Sequence, residues 1–140
     1  ALFAGIRPDD DLDLLPHLQD LQADVLLAPQ GLGGHVDHLQ VVRAVAALRR
    51  PTAWWRDAPY VLRAPEARPS PDLPDGLRPL HLPGDPDRRA DACACYTTQL
   101  PYQFGRDSDH PPEVAMRAAM ARLDEVLLAD DRACESLEAG

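Results

Sequence analysis

The residues with the clearest chemical potential lie together in one short stretch, His35-Val-Asp-His38, directly after a glycine-rich run. Histidine and aspartate side chains bind zinc and transfer protons. A spacing of three residues puts both imidazoles on one face of a helix, and Asp37 between them can fix the tautomer of one imidazole. Two histidines do not complete a catalytic zinc site, which uses three protein ligands. The same pattern also fits a pair of partly exposed histidines in a turn.

The segment before this stretch predicts a strand followed by a tight turn. Residues 23–28 form a short run that is apolar on both faces, which is typical of a buried parallel strand, and Pro29 is expected to end it. Gly31, Gly33 and Gly34 then allow backbone conformations with positive φ. A strand that passes into a helix through such a turn is the usual place for a site in an α/β sheet.

The segments on either side of the turn complete a β-α-β unit. A helix is predicted from about Asp37 to Arg50, and residues 52–55 (Thr-Ala-Trp-Trp) form the next strand. Before the first strand, Leu14, Leu18 and Leu21 recur at helical spacing. The unit therefore places the two histidines at the start of the helix that joins two parallel strands.

The second half of the chain carries weaker patterns. Residues 63–87 form a proline-rich loop in which only residues 77–82 suit a strand. A helix is predicted over residues 88–99, and the clearest helical periodicity runs from about residue 113 to residue 128. Residues 130–140 are expected to be a frayed tail. The long loop can roof a site, as ordered loops often do.

Composition restricts the class of protein. The chain has 140 residues and a formal net charge of -9, and its 14 basic residues are all arginine. An acidic chain without a basic stripe argues against binding to nucleic acid or to an anionic membrane surface. No apolar run approaches the roughly 18–20 residues that span a bilayer. The three cysteines are too few for a disulfide framework, so we expect a reducing, cytoplasmic location.

Other catalytic motifs fit poorly. A dinucleotide fingerprint beginning at Gly31 and Gly33 would need a further glycine where Val36 stands. No serine lies in a G-x-S-x-G nucleophile elbow. Cys93 and Cys95 diverge by about 200° on a helix and cannot both reach one metal ion, so they are expected to be small packing residues.

Three segments resemble the PIG-L (LmbE-like) deacetylases, in the order in which that family carries them. Residues 28–38, Ala-Pro-Gln-Gly-Leu-Gly-Gly-His-Val-Asp-His, resemble the family's second signature. Residues 54–60, Trp-Trp-Arg-Asp-Ala-Pro-Tyr, are similar to its aromatic-x-Asp-x-Pro-Tyr segment. Residues 96–100, Tyr-Thr-Thr-Gln-Leu, followed by Phe104-Gly105, are similar to its Tyr-x-Ser-Gln helix end. Together the three segments cover roughly residues 24–105.

The resemblance implies a zinc-dependent hydrolase that removes an N-acyl group, usually acetyl, from an amino-sugar substrate. By this resemblance His38 is a ligand of the single divalent metal, His35 is an electrostatic stabiliser or general acid, and Asp37 orients His35. The implied fold is α/β, a Rossmann-like parallel sheet flanked by helices (LmbE-like). Zinc activates water and polarises an amide carbonyl, and a cationic imidazole stabilises the oxyanion and protonates the leaving amine.

One part of the family pattern has no good match. The family's first signature, His-Pro-Asp-Asp, supplies two metal ligands and the base, whereas only Arg7-Pro-Asp-Asp10 is found here, and arginine cannot bind zinc. Residues 1–140 are therefore interpreted as an incomplete, C-terminal portion of one α/β domain, and an N-terminal portion of the same protein is expected to complete the site. The alternatives are a member that has lost catalysis, or a metal-free, non-catalytic module that binds carbohydrate or a partner.

Overall fold

The computed structural model describes residues 14–63, 66–105 and 109–139. Their backbone contacts separate two compact units. The first unit contains the described residues up to Leu80 together with those from Val126 onward, and the second contains the described residues from His81 to Glu125. All residues of the predicted histidine stretch belong to the first unit.

The described part of the first unit is built around a short mixed sheet. Its strands are β1 (Leu26–Pro29), β2 (Thr52–Trp55), β3 (Arg78–His81) and β4 (Val126–Ala129), in the spatial order β1-β2-β4-β3. Strand β1 pairs parallel to β2, with Leu26 opposite Thr52. Strand β2 pairs antiparallel to β4, with Ala53 opposite Ala129.

The helices of this unit are α1 (Leu15–Leu18), α2 (Val36–Leu48), α3 (Tyr60–Arg63) and α7 (Asp131–Glu138). Helix α2 joins β1 to β2 and packs on β1, and α1 packs on α2. Asp130 connects the sheet to α7, because its carboxylate accepts hydrogen bonds from the backbone N–H groups of Ala133 at 2.8 Å and Thr52 at 3.3 Å. Such an aspartate satisfies a free N–H group at the start of the helix.

The core of the first unit lies between α2 and the sheet. Side chains from the helix interlock with side chains from β1 and β2, and Trp54 is the largest fully buried one. Gln30, also buried, fixes the end of β1 to β2, since its side-chain amide donates a hydrogen bond to the carbonyl of Trp54 at 2.8 Å. The buried core cluster consists of Leu26, Ala28, Val42, Val45 and Trp54.

The second unit is helical in its described residues. It contains α4 (Pro86–Ala94), α5 (Leu100–Phe104) and α6 (Pro112–Met120), and both α4 and α5 pack on α6. Arg89 on α4 forms an ion pair with Glu125 and donates hydrogen bonds to the carbonyl groups of Met120 and Leu123. The guanidinium thereby joins α4 to the last residue of α6 and to the turn that follows it.

The first half of the chain follows the sequence prediction closely. The α/β class is confirmed, β2 occupies the predicted residues 52–55, and α2 begins one residue before the prediction and ends two residues earlier. Strand β3 lies inside the segment 77–82 that suited a strand. Strand β1 is shifted toward its carboxyl end and includes Pro29, which was expected to end it.

Three predictions about the sheet and its neighbours are wrong. The sheet is mixed rather than parallel, because β4 runs antiparallel to β2. The helix predicted over residues 113–128 stops at Met120, and residues 126–129 form β4 instead. The run Val-Leu-Leu-Ala alternates in burial, as strands do. Its apolar residues also match a helical spacing, and this match led to the wrong prediction. The expected tail forms helix α7, which Asp130 caps.

Three further expectations need correction. Strand β1 is not buried on both faces, since the Leu27 side chain is 65% exposed. The helix predicted over residues 88–99 ends at Ala94, and a turn separates it from α5. The leucine spacing before β1 gives one helical turn that ends at Leu18, so Leu21 lies beyond it.

Trp54 and Leu27 provide a matched test of where the core lies. Trp54→Ala removes a side chain that is 1% exposed, and we expect it to lower the free energy of unfolding by about 3–5 kcal/mol. Leu27→Ala on the neighbouring strand should lower it by about 0.5 kcal/mol or less, because exposed substitutions rarely do more. Urea unfolding followed by far-ultraviolet circular dichroism measures both. Equal losses would contradict the assignment of the core.

Candidate functional site

The site lies where β1 and β2 end. The two strands are parallel, so their carboxyl ends meet at one edge of the sheet. The chain leaving β1 carries His35 and His38, and the chain leaving β2 carries Asp57 and Tyr60. Two pairs of side chains from separate segments are thereby brought to one edge, as is common for sites in α/β sheets.

The turn between β1 and α2 is built from glycines, as predicted. Gly31, Gly33 and Gly34 have φ angles of 75°, 80° and 68°, a region that other residues seldom adopt. At Gly33 a Cβ atom would also lie 2.7 Å from the Cβ atom of Tyr60. A side chain at Gly33 would therefore displace Tyr60, whereas Gly34 faces open space.

The two histidines face each other at the start of α2. His35 precedes the helix with an extended backbone, and His38 lies in its first turn. Their ring centroids are 5.2 Å apart, with the ring planes inclined at 47°. Both side chains are partly exposed, so a ligand could reach them. The two imidazoles lie close together, but they do not share one helical face as predicted, because His35 precedes the helix.

Asp37 lies beside His35 at ion-pair distance. Its Oδ2 atom is 3.9 Å from Nδ1 of His35, and its side chain is more than half exposed. This separation exceeds that of a hydrogen bond, so a direct Asp37–His35 hydrogen bond is not formed in this conformation. The role of Asp37 in orienting His35 stays a prediction.

Asp57 is the one strong partner of His38 within the described residues. Its Oδ1 atom lies 2.5 Å from Nδ1 of His38, and its side chain has no exposed surface. The other carboxylate oxygen, Oδ2, is also buried and has no hydrogen-bond partner among those residues. This aspartate belongs to the family-like segment 54–60, but the sequence alone predicted no role for it. The signal that identifies it is its place two residues after β2, at the same sheet edge as the histidines.

Two aromatic rings complete the surroundings of the histidines. Trp55 and Tyr60 both meet the ring of His38 edge to face, with centroid distances of 5.5 Å and 5.6 Å. Tyr60 also lies 5.5 Å from the ring of His35. The imidazole of His38 is thus confined by two rings and one buried carboxylate, which restricts its orientation.

The remaining sequence candidates lie elsewhere. Arg7 to Asp10, the segment similar to the first family signature, lies outside the described residues. In the second unit Tyr96 is 68% exposed. Cys93 is partly buried, and this burial raises the pKa of its thiol, while Arg89 lowers it to a smaller extent. Cys95 is exposed, so the expectation that both cysteines pack inside is wrong for that residue.

No group of three or more His, Cys, Asp or Glu side chains in the described part of the chain is arranged to hold a metal ion. His38 nevertheless suits the role of a single ligand. Its Nδ1 atom is engaged by Asp57, and this arrangement directs the opposite nitrogen, Nε2, away from the carboxylate. The described residues therefore fit one side of a metal site and do not by themselves form a complete one.

The fold is similar to that of one solved deacetylase. No protein-family model matches the chain, and a comparison with characterised proteins finds no match. Among solved structures, the crystal structure of the antimicrobial reagent A40926 pseudoaglycone deacetylase Dbv21 superposes with a TM-score of 0.56 and 24% sequence identity. The match covers 84% of this chain and 53% of that chain. The chain therefore shares the fold of about half of that protein.

A search for transmembrane helices gives a negative result for the described residues. None of the helices there is long and apolar enough to cross a bilayer.

Gly33 and Gly34 test how the turn positions the site. Alanine at either position adopts a left-handed backbone conformation at a cost of about 1–2 kcal/mol. Gly33→Ala should destabilise the fold further, because its Cβ atom meets Tyr60 and Gly34→Ala meets nothing. Urea unfolding of the two variants measures the difference. If Gly34→Ala is as harmful as Gly33→Ala, the close approach of Tyr60 to the turn is not what requires glycine.

Proposed function

We propose that this chain supplies one side of the active site of a zinc-dependent N-deacetylase of the PIG-L type. Such an enzyme removes an acyl group, usually acetyl, from an N-acylated amino sugar or glycoconjugate. The observation that carries the proposal is the placement of His35 and His38 with their rings 5.2 Å apart, at the edge where two parallel strands end. The family-like signature over residues 28–38 and the fold shared with a deacetylase support it.

In this proposal His38 is the residue of the chain that binds the metal. Asp57 occupies its Nδ1 atom, so Nε2 is the nitrogen available to a zinc ion. A bound divalent ion supplies Lewis-acid polarisation of the amide carbonyl and activation of water. The further ligands and the catalytic base are proposed to come from an N-terminal portion of the same protein, in keeping with the half-length match to the solved deacetylase.

His35 acts on the substrate amide. Its ring lies beside that of His38, and its imidazolium form can donate a hydrogen bond to the oxyanion that develops on the carbonyl oxygen. When the carbon–nitrogen bond breaks, the same imidazolium can give its proton to the departing amine, which leaves as the free amino sugar while acetate is released. Asp37, whose Oδ2 atom lies 3.9 Å from Nδ1 of His35, is the carboxylate proposed to orient that imidazole.

The substrate class follows from the reaction and from the surroundings of the site. The similar solved protein is a deacetylase of an antimicrobial pseudoaglycone, so deacetylation is a reaction that this fold supports in at least that protein. Trp55 and Tyr60 beside the histidines offer aromatic faces and edges that suit contact with a sugar ring. An N-acetylated amino sugar or a glycoconjugate that carries one is therefore the proposed substrate.

Substitution of the two histidines separates their proposed roles. The test uses a polypeptide that includes the coding sequence upstream of Ala1, with zinc measured by mass spectrometry and released amine measured on an N-acetylated amino sugar. His38→Ala should remove the zinc and the activity together. His35→Ala should retain the zinc and lower kcat by about 100-fold or more, as the loss of an oxyanion stabiliser does. His17→Ala, on the exposed face of α1, is the control and should change neither quantity.

The alternative is a metal-free module that binds carbohydrate or a partner without catalysis. It predicts that the longer polypeptide carries no zinc, hydrolyses no amide and still binds an amino sugar. That combination, with His38 intact, would contradict the proposed enzyme.

A further inference from the structure

Asp57 is a buried carboxylate that takes no direct part in the bond-breaking steps of the proposed reaction. It follows β2 by two residues and is completely enclosed, although the His38 side chain that it contacts is 23% exposed. The Oδ1–Nδ1 separation of 2.5 Å is shorter than that of an ordinary N–H···O hydrogen bond. The Oδ2 atom has no partner within the described residues. Among those residues the carboxylate therefore makes one hydrogen bond, to the imidazole of His38.

This contact decides which nitrogen of His38 carries a proton. An ionised carboxylate can only accept hydrogen bonds, so the Nδ1 atom of His38 must be the donor. In the neutral imidazole one nitrogen carries the proton and the other keeps a lone pair. With the proton on Nδ1, the lone pair is on Nε2, on the side of the ring opposite Asp57.

We propose that Asp57 is the positioning residue for His38: it holds the imidazole with its proton on Nδ1 and presents Nε2 to a divalent cation. The inference rests on the proposed function, in which His38 binds the metal. The edge-to-face contacts of Trp55 and Tyr60 act with Asp57, since they restrict rotation of the same ring. A ring held in one orientation loses less conformational entropy when it binds a ligand.

Burial distinguishes this carboxylate from the other acidic residue near the histidines. Asp37 is exposed and lies near His35, so water screens its charge. Asp57 is withdrawn from water with one oxygen that no described residue satisfies, an arrangement that opposes folding rather than favouring it. The buried Oδ2 atom therefore does not stabilise the fold. Orientation of His38 is a functional reason for a carboxylate at this buried position.

The first experiment measures the protonated nitrogen of His38 in the 140-residue chain without any metal. Two-bond nitrogen–proton correlation spectra of the ¹⁵N-labelled protein report it, at a pH of about 9, above the ordinary titration range of histidine. His38→Gln identifies the resonances. We expect a single species with the proton on Nδ1. A proton on Nε2 in the unsubstituted protein would overturn the proposal, and this result depends on no variant of Asp57.

The second experiment replaces Asp57 with its closest isostere. In Asp57→Asn the side-chain amide can donate to Nδ1, so the proton of His38 should redistribute toward Nε2. A zinc titration that follows the His38 resonances should then give a Kd at least about tenfold weaker than for the unsubstituted chain, in line with other second partners of metal ligands. Asp72→Asn is the control, because Asp72 is a surface carboxylate paired with Arg43 at 3.1 Å, and it should leave both readouts unchanged.

The two readouts separate failure of this inference from failure of the proposed function. Equal proton positions and equal zinc affinities in Asp57→Asn and the unsubstituted chain would overturn the positioning role and leave the proposed deacetylase intact. A proton on Nδ1 in the unsubstituted chain and weaker zinc binding in Asp57→Asn would support the positioning role even if the longer polypeptide hydrolysed no amide. In that case only the proposed reaction would fail.

Discussion

The parallel pairing of β1 with β2 is the constraint on which the rest of the site depends. Two strands that run in the same direction bring their carboxyl ends to one edge, and the residues that follow them meet there. The glycine turn after β1 and the loop after β2 thus deliver His38 and Asp57 to each other across 19 residues of sequence. Trp54 holds the pairing in place, because its buried side chain joins β2 to the core beneath α2.

The glycine turn makes the short path from β1 to α2 possible. Its three residues with positive φ reverse the chain within a few positions, so that His35 precedes the helix and His38 lies in its first turn. The absence of a side chain at Gly33 then lets Tyr60 approach from the start of α3, which follows β2. The same glycines that shape the turn therefore allow the residues after β1 to contact the residues after β2.

The sequence predicted the β-α-β unit well because each of its elements is marked by residues within that element. The glycines, the apolar spacing of α2 and the aromatic run of β2 each act on their own neighbourhood. The role of Asp57 was missed because it arises from pairing between strands, which no single segment reveals. Strand β4 was missed for a related reason: its apolar residues fit a helical spacing, and only pairing with β2 decides between the two structures. The exposure of Leu27 likewise depends on which elements cover that face of the sheet, and this cannot be predicted from the apolar character of the residue.

The site holds His38 in a fixed orientation but lacks a full set of metal ligands among the described residues. His38 is confined by Asp57, Trp55 and Tyr60, whereas the described residues offer no complete set of metal ligands. In the proposed enzyme, an imidazole that is oriented before the metal arrives would let the remaining ligands approach a fixed nitrogen. The solved deacetylase shares the fold of this chain over about half of its own length. The position of a bound metal is the most direct test of the proposed role of His38. Anomalous diffraction at the zinc absorption edge, from crystals of the polypeptide with its upstream sequence, locates the ion without reference to activity. We expect one zinc ion about 2.0–2.1 Å from Nε2 of His38, with Asp57 still bonded to Nδ1. Zinc bound at Nδ1, or a fully loaded site that excludes His38, would contradict the proposed role of this histidine.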